Sequence, residues 1–321
     1  MLLPVQDKKH LALFAELQKA DVGKCWAPFV DCPNSPINAH SVQNRRTLEL
    51  IQEAGKVTQI GGKLTQDGQN TVFRKVGRNK ASTFRGLCAE HDREIFKLID
   101  TNPLDSTNSH MCDLLVWRAI TSEMAAKLNM AVYFQTKYKQ LIENEEIAEN
   151  EPHPFGYEAV QWMAVLFDFF LYRDRYWSPR ITSGDRDELP NNVLHKHFRL
   201  ENTGSVLAAA SFFSMQAKNG KVGNIAINIW PDSNDTIVLL SYARADMPVS
   251  PRYLRDFSNK GKFDRRSVSA LLLTHVQNFF MKPSIVDSWS DDHRNRIIEA
   301  FSTTVTGVFE ANPHPNIDLF A

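Results

Sequence analysis

Two stretches of sequence decide how the first hundred residues fold: residues 25–41 read CWAPFVDCPNSPINAHS, and residues 84–92 read FRGLCAEHD. The second stretch contains Cys88-x-x-His91 at the start of a predicted helix, which places a thiolate and an imidazole on the same side of one turn. Cys25 and Cys32 in the first stretch supply two further thiolates. Because thiolate and imidazole both suit zinc, the pattern predicts one structural zinc ion held by these four side chains.

Other arrangements of the same residues are compatible with the sequence. His40 can be the fourth zinc ligand in place of Cys25, or it can be a core histidine, and the cysteines can be unrelated buried thiols. Their clustering favours zinc, because three of the four cysteines of the chain lie in these two stretches, close to histidines.

The composition is that of an ordinary globular protein. The chain has 321 residues, 43% of them hydrophobic and 23% charged, which is enough to bury one or two sizeable cores. Lys plus Arg equals Asp plus Glu at 37 each, so no overall charge attracts nucleic acid or a membrane, and any basic surface is local. Four cysteines are too few for a secreted disulfide scaffold.

The sequence predicts a cytoplasmic protein that does not enter a membrane. Residues 1–14 lack the uninterrupted apolar core and the small-residue cleavage site of a signal peptide. The most apolar later stretch, residues 160–172, contains Asp168 and is too short for a bilayer, which takes roughly 20 apolar residues to span.

The elements between the two stretches resemble those of a known zinc fold. Ser41 is a candidate cap for a short helix ending at Gly55, residues 56–60 and 71–76 read as two strands around a polar turn, and residues 92–99 form a helix. With the zinc ligands on either side, this order over residues 25–100 resembles the treble-clef module of HNH nucleases. It is also similar to bacterial proteins that carry HNH-like zinc modules, some of them in phage defence.

The resemblance implies roles for individual residues. Cys88 and His91 fall on the second zinc pair of the family, and His40 falls where the family places the general base that activates water. Asp92 falls on a ligand of the catalytic metal, for which Mg²⁺ or Mn²⁺ is expected. The chain departs from the family at Ala39, where an acid or histidine usually binds that metal, and in the wider spacing of its first two cysteines.

A local excess of positive charge covers the predicted hairpin. Residues 43–97 contain eleven Lys or Arg against six Asp or Glu. Such a surface can bind the phosphates of a nucleic acid, and it is equally typical of an ordinary solvated hairpin. The candidate nucleic-acid-binding residues are Arg45, Arg46, Arg74, Lys75 and Arg85.

The predicted fold class is α+β, with a zinc module at residues 1–105 and a helical and α+β region at residues 106–321. Periodicity predicts long helices at residues 109–149 and 157–177, the second apolar on nearly every face and therefore buried. Alternation predicts a three-stranded antiparallel meander, and helices follow it. The three strands are residues 206–215, 222–230 and 236–242, and the helices are residues 251–257, 265–280 and 290–301. His195 and His197 lack a neighbouring cysteine or acid pair and are predicted to be surface or core residues.

Two functions follow from these residues. The first is a metal-dependent HNH-like endonuclease, in which zinc holds the module, His40 deprotonates water and Asp92 helps to hold a catalytic ion. The second is a non-catalytic zinc module that binds nucleic acid or protein, which Ala39 favours. No feature of the sequence indicates the ligand of the C-terminal region or the oligomeric state.

Overall fold

The computed structural model describes residues 24–65, 68–185, 188–217, 220–305 and 316–321. It combines helices with antiparallel strands, in agreement with the predicted α+β class. Residues 1–14, on which the prediction of a cytoplasmic location rests, lie outside the described residues. Among the helices that the structure describes, none has both the length and the apolar character needed to cross a membrane.

Nine strands form two sheets within the described residues. In chain order they are β1 (Asn38–His40), β2 (Lys56–Thr65), β3 (Gly68–Gly77), β4 (Thr83–Arg85), β5 (Val193–Leu200), β6 (Leu207–Gln216), β7 (Val222–Asp232), β8 (Asp235–Ala243) and β9 (Phe279–Met281). β1 and β4 pair with each other, and the other strands form one sheet in the order β3-β2-β9-β6-β7-β8-β5. Every pairing in both sheets is antiparallel.

The helices vary widely in length. In chain order they are α1 (Glu49–Ile51), α2 (Ala89–Thr101), α3 (Ser109–Glu143), α4 (Pro154–Tyr172), α5 (Ser178–Thr182), α6 (Ser250–Phe257), α7 (Arg265–His275), α8 (Pro283–Ser288) and α9 (Asp291–Val305). Two π-helical turns, Asn44–Leu48 and Arg173–Trp177, lead into α1 and α5, and a 3₁₀ turn, Arg244–Asp246, follows β8.

The three predicted strands are neighbours in the large sheet as β6, β7 and β8. The sheet has seven strands and not three, because β5, β9 and the β2–β3 hairpin extend it. β9 lies where the sequence predicts the end of a helix: α7 stops at His275, and residues 279–281 pair with β2 and β6.

The large sheet contains strands from both predicted regions of the chain. Thr58 of β2 pairs with Met281 of β9, and Met281 also pairs with Leu207 of β6. The hairpin of the predicted zinc module is therefore part of the same sheet as the C-terminal strands. One sheet thus combines strands from before and after the predicted boundary at residue 105.

Helices cover both faces of the sheet. On β7, Ile225, Ile227 and Ile229 face a core shared with α7 and α9, while Ala226 and Trp230 face a core shared with α3. Because side chains alternate along a strand, one apolar strand supplies both cores. The result is a three-layer arrangement in which α3 and α2 support the segment that carries the candidate zinc ligands.

α3 and α4 pack along each other on the outside of one face. Asn108 caps the start of α3, and its side chain accepts hydrogen bonds from the backbone N–H groups of His110 and Met111 at 3.0 and 3.1 Å. The prediction that the second helix is buried is wrong, because only Ala159 and Phe169 of α4 are buried. Its apolar residues meet α3 on one side and solvent on the other.

Candidate metal centre

Two chain segments meet at the predicted zinc ligands. Cys25 and Cys32 pair with each other across a tight loop, and the Trp26 N–H donates to the Gly86 carbonyl at 2.7 Å, which fixes this loop beside Cys88. Gly86 leaves little room for a side chain at this contact. A Cβ there would lie 3.1 Å from the side chains of Phe84 and Thr121, closer than nearly all real Cβ contacts.

The second pair of candidate ligands lies at the start of α2. Cys88 is the residue that precedes the first turn, and its carbonyl accepts the first helical hydrogen bond, from the Asp92 N–H at 2.9 Å. His91 follows three positions later, so its imidazole lies over the same turn as the Cys88 thiol. The predicted helix at residues 92–99 is thus α2, longer by a few residues at each end.

The four side chains converge on one point. Their ligand atoms all lie within 4.8 Å of one another. His91 Nδ1 is 3.3 Å from Cys25 Sγ and 3.4 Å from Cys88 Sγ, and Cys32 Sγ is 3.9 Å from Cys88 Sγ. Ligands at the usual zinc distances of about 2.0–2.3 Å lie about 3.5–3.8 Å apart in a tetrahedron, so these separations fit. Cys25, Cys32, Cys88 and His91 can therefore hold a metal ion such as zinc.

The thiols of this cluster are buried and electrostatically coupled. Burial raises the pKa of Cys25 to about 11. Burial also raises the pKa of Cys88, but hydrogen bonds with His91, Cys25 and Cys32 outweigh that effect and lower it to about 7. The lowered pKa of Cys88 favours binding of a cation here, since the thiolate is the form that ligates metal.

The structure separates the other candidates from this cluster. Cys112, the fourth cysteine, lies on α3 with its thiol 3.4 Å from the Ser106 carbonyl, and burial raises its pKa to about 12. His40 is not a member of the ligand group, and Cys25 is, so the arrangement in which His40 replaces Cys25 is not the one observed.

His40 ends β1, where it pairs with Thr83 of β4. Its Nδ1 lies 2.9 Å from the Ala81 carbonyl oxygen, which can only accept, so Nδ1 carries the proton. Its Nε2 accepts from the Asn44 side-chain amide at 3.2 Å. Burial lowers the pKa of His40, with the Ala81 hydrogen bond opposing that change. His40 is thus a neutral imidazole with its basic nitrogen directed at the π-helical turn.

Asp92 lies one residue beyond His91, and its side chain is half-buried. Burial raises its pKa, with the charge of Arg118 opposing the change, and its Oδ1 has no hydrogen-bond partner among the described residues. Arg118 itself is held by both carboxylate oxygens of Asp100 at 3.0 and 2.9 Å.

These residues do not fit a Mg²⁺ or Mn²⁺ site. Such ions take about six oxygen ligands, several from water, and are usually held by one or two accessible carboxylates. Asp92 supplies a single carboxylate, Ala39 is buried and offers no donor, and the basic nitrogen of His40 is occupied by Asn44. We therefore assign no catalytic ion to this site.

The predicted phosphate-binding residues fall into two groups. Arg74 and Lys75 lie on the hairpin, where Lys75 pairs with Asp287 at 2.7 Å and Arg74 donates to Gln59 at 3.3 Å. Arg85 is half-buried and donates to the Pro36 carbonyl at 3.0 Å. The other group, Arg45 and Arg46, is exposed on the π-helical turn beside His40, and Arg46 also donates to the Thr101 carbonyl at 2.7 Å.

Two asparagines that the sequence did not single out join the segments of this surface, which also carries Arg78 and Lys80 from the basic run of residues 43–97. Asn44 bridges His40 and Asn79, donating to the Asn79 side chain at 3.1 Å, and so it holds the π-helical turn against the loop that follows β3. Lys80 is exposed on that loop, and Arg78 pairs with Glu49. An open groove of about 330 Å³ runs between them, lined by Glu49, Gln52, Gly55, Gly77, Arg78, Asn79 and Lys80. In the sequence, the signal for the contact between Asn44 and His40 was their spacing of four residues.

His195 and His197 are placed as predicted, at half-buried and exposed positions of β5. His195 lies between Ser241, 2.8 Å from Nδ1, and Asp113, 3.1 Å from Nε2. Asp113 is fully buried and also accepts from Arg180, and Ser241 is buried, so no substrate reaches this serine and the network ties β5 to α3.

Comparison of the chain with models of protein families, with curated proteins and with solved structures returned no match.

Proposed function

We propose that this chain binds nucleic acid through a zinc-stabilised, non-catalytic module in its first hundred residues. The observation that carries the proposal is the group of exposed cations Arg45, Arg46 and Lys80 on two segments that Asn44 and Asn79 join. Glu49 lies on the same surface, but its charge is balanced by Arg78. A backbone phosphate is the ligand that such a group of cations attracts.

Zinc is the ion that suits the ligand cluster. Three thiolates and one imidazole form a closed four-ligand set, which is typical of structural zinc and leaves no position for a reacting water. The ion would join the loop before β1 to the start of α2. In this way it would fix the β1–β4 pair, which in turn positions the π-helical turn carrying Arg45 and Arg46.

The treble-clef interpretation is part of the same proposal. The supporting observation is local: β1 and β4 pair as a ribbon, α2 follows β4 directly, and the candidate zinc ligands flank both. In this interpretation residues 43–82 are a long insertion between the two strands of the ribbon, and the insertion supplies the hairpin that joins the large sheet.

The proposal is tested by fluorescence anisotropy with a labelled 20-base-pair DNA duplex and a single-stranded RNA of equal length. We expect Arg45→Gln/Arg46→Gln/Lys80→Gln to weaken binding at low salt at least tenfold. The slope of log affinity against log salt should fall by about 2–3 units, as expected for three phosphate contacts.

The matched control is Arg74→Gln/Lys75→Gln, which removes two cations from the hairpin surface, where Lys75 already pairs with Asp287. It should change affinity much less than the triple variant. Equal losses in both variants would contradict the assigned surface. Absence of binding to either nucleic acid by the wild-type, zinc-loaded protein would contradict the function itself and favour a protein ligand.

A second candidate function, an HNH-like endonuclease, is favoured by the state of His40. The Nδ1–H tautomer leaves Nε2 as a base, and Nε2 faces Asn44 of the π-helical turn that also carries Arg45 and Arg46. Nε2 would take a proton from water as the water oxygen bonds to phosphorus, the phosphorus–oxygen bond to the leaving nucleotide breaks, and solvent protonates the leaving oxygen. The supporting geometry is incomplete, because Asn44 occupies Nε2.

Plasmid nicking separates the two functions. If the endonuclease proposal is correct, His40→Ala abolishes nicking while zinc content stays unchanged, and Asn44→Ala, which frees Nε2, does not reduce the rate. If wild-type protein binds DNA but nicks neither DNA nor RNA with any added divalent ion, the non-catalytic function stands alone. Nicking that survives in His40→Ala would place any activity at another site.

A further inference from the structure

One face of α4 is apolar and exposed along the whole helix. Val160, Tyr157 and Phe167 expose 69, 60 and 59% of their surface, and Met163, Phe170 and Leu171 are also exposed. These six residues, here called the α4 stripe, are spaced by three or four positions, with the last two adjacent, and therefore lie on one side of the helix. They are half of the large apolar residues exposed in the described part of the chain, all on one helix of 19 residues.

The opposite side of α4 is already engaged. Phe169 packs edge-on against Phe212 of β6, with ring centroids 4.7 Å apart, and Tyr172 donates a hydrogen bond to Asp246 at 2.7 Å. Near the start of the helix, the Phe155 ring lies 6.0 Å from the ring of Phe134 on α3. Because these contacts fix the helix in the fold, the α4 stripe is a preformed surface that cannot turn inward.

The charges of α4 favour a protein ligand over a membrane. Helices that lie on membranes carry Lys or Arg along their polar face, and these attract anionic lipid. α4 has no Lys or Arg, and its two ionisable acids, Glu158 and Asp168, are both repelled by an anionic surface. The same charges exclude the helix as a nucleic-acid contact.

The area of the stripe matches that of a protein interface. With roughly 200 Å² for a fully exposed large apolar side chain, the six residues offer on the order of 600 Å² per chain. Two such surfaces together bury about 1,200 Å², which reaches the range of specific protein–protein interfaces, and apolar interfaces of this kind are typical of homodimers.

We propose that the α4 stripe is a dimer interface, in which α4 of one chain packs antiparallel against α4 of a second copy. An axis between Met163 and Ala164 would set Val160 against the partner's Phe167 and Tyr157 against the partner's Phe170. Ala164 is exposed at the centre and small enough for close approach. A parallel pair would instead place Asp168 against the same residue of the other chain, which costs electrostatic repulsion.

The first experiment is sedimentation velocity of full-length, zinc-loaded protein from 1 to 100 μM. We expect wild type to be dimeric in the upper part of this range, and Val160→Glu/Phe167→Glu to be monomeric throughout with unchanged zinc content and circular dichroism. Val222→Glu, an apolar-to-acid change at an exposed position on β7, is the matched control and should remain dimeric. Monomeric wild type at 100 μM, or a dimer that persists in the double variant, overturns the proposal.

The second experiment tests the orientation. Tyr157→Cys/Phe170→Cys should cross-link under mild oxidation, whereas Tyr157→Cys alone should not, because the two Tyr157 positions lie at opposite ends of an antiparallel pair. Cross-linking of Tyr157→Cys alone overturns the antiparallel arrangement. Flotation with vesicles of 30% anionic lipid tests whether the α4 stripe binds a membrane instead. If the wild type is monomeric and binds vesicles, and Val160→Glu/Phe167→Glu does not bind them, the dimer proposal is overturned in favour of a lipid surface.

Discussion

Replacing Cys88 by serine removes one ligand from the metal centre and should destabilise the fold by a measurable amount. The ion would join Cys32 to Cys88, which are 56 positions apart. On the scale used for covalent cross-links, closing a loop of that length restricts the unfolded chain by about 4 kcal/mol. Since 1 kcal/mol shifts the melting temperature of a domain of this size by roughly 2–4 °C, we expect a fall of at least about 8 °C.

The assay combines metal analysis with thermal unfolding. Wild type should contain about one zinc per chain, Cys88→Ser little or none, and a strong chelator should reproduce the loss of stability in the wild type, because binding energy of structural zinc is also folding energy. Cys112→Ser is the matched control, a buried cysteine outside the cluster that should keep its zinc. The reasoning fails if Cys88→Ser retains its zinc, or if chelation leaves the wild-type melting curve unchanged.

Three further predictions concern the surrounding fold. Gly86→Ala should destabilise the protein by about 1–3 kcal/mol in urea unfolding, because the new Cβ meets three side chains, while Gly61→Ala, with open space around its Cβ, should cost less than half as much. Asp113→Asn should cost about 3–5 kcal/mol, because it leaves the charge of Arg180 without its buried partner, and a loss below 1 kcal/mol would refute that role. Burial lowers the pKa of His275 from 6.5 to about 4, so as the pH falls through 6.5 the unfolded chain gains a proton that the folded chain does not. The free energy of unfolding should therefore fall by about 2–3 kcal/mol between pH 7 and 4.5 because of this group. In His275→Gln the fall over the same interval should be smaller by that amount.

The candidate metal ligands were predictable as two local pairs. Cys88 and His91 share one helical turn, and the position of Cys25 beside Cys32 depends on a short loop, so spacing carried the information within each pair, while the meeting of the two pairs was inferred from the chemistry of their side chains. The surface around His40 was only half predictable. Arg45 and Arg46 follow His40 closely in sequence, whereas the loop of Asn79 and Lys80 reaches them only through the folded chain.

The sheet could not be derived from periodicity. Residues 279–281 are a short apolar run after a helix, and such a run fits the end of a helix as well as a buried strand. Its identity as β9 depends on partners at Thr58 and Leu207, far away in sequence. The apolar character of α4 predicted burial for a similar reason: composition shows which side chains avoid water, but not whether the fold supplies a surface for each of them.

The interior position of β9, between β2 and β6, has a consequence for the order in which the chain can fold during synthesis. β2 is synthesised early, but its second edge pairs with β9. Met281 of β9, the partner of Thr58, is synthesised 223 residues after it. At about 5–20 residues per second, the ribosome takes roughly 10–45 s to make that stretch. Throughout this interval the hairpin has an unpaired edge that can recruit strands of other nascent chains. A chaperone that shields the hairpin, or translation without long pauses before residue 281, should therefore raise the yield of native protein.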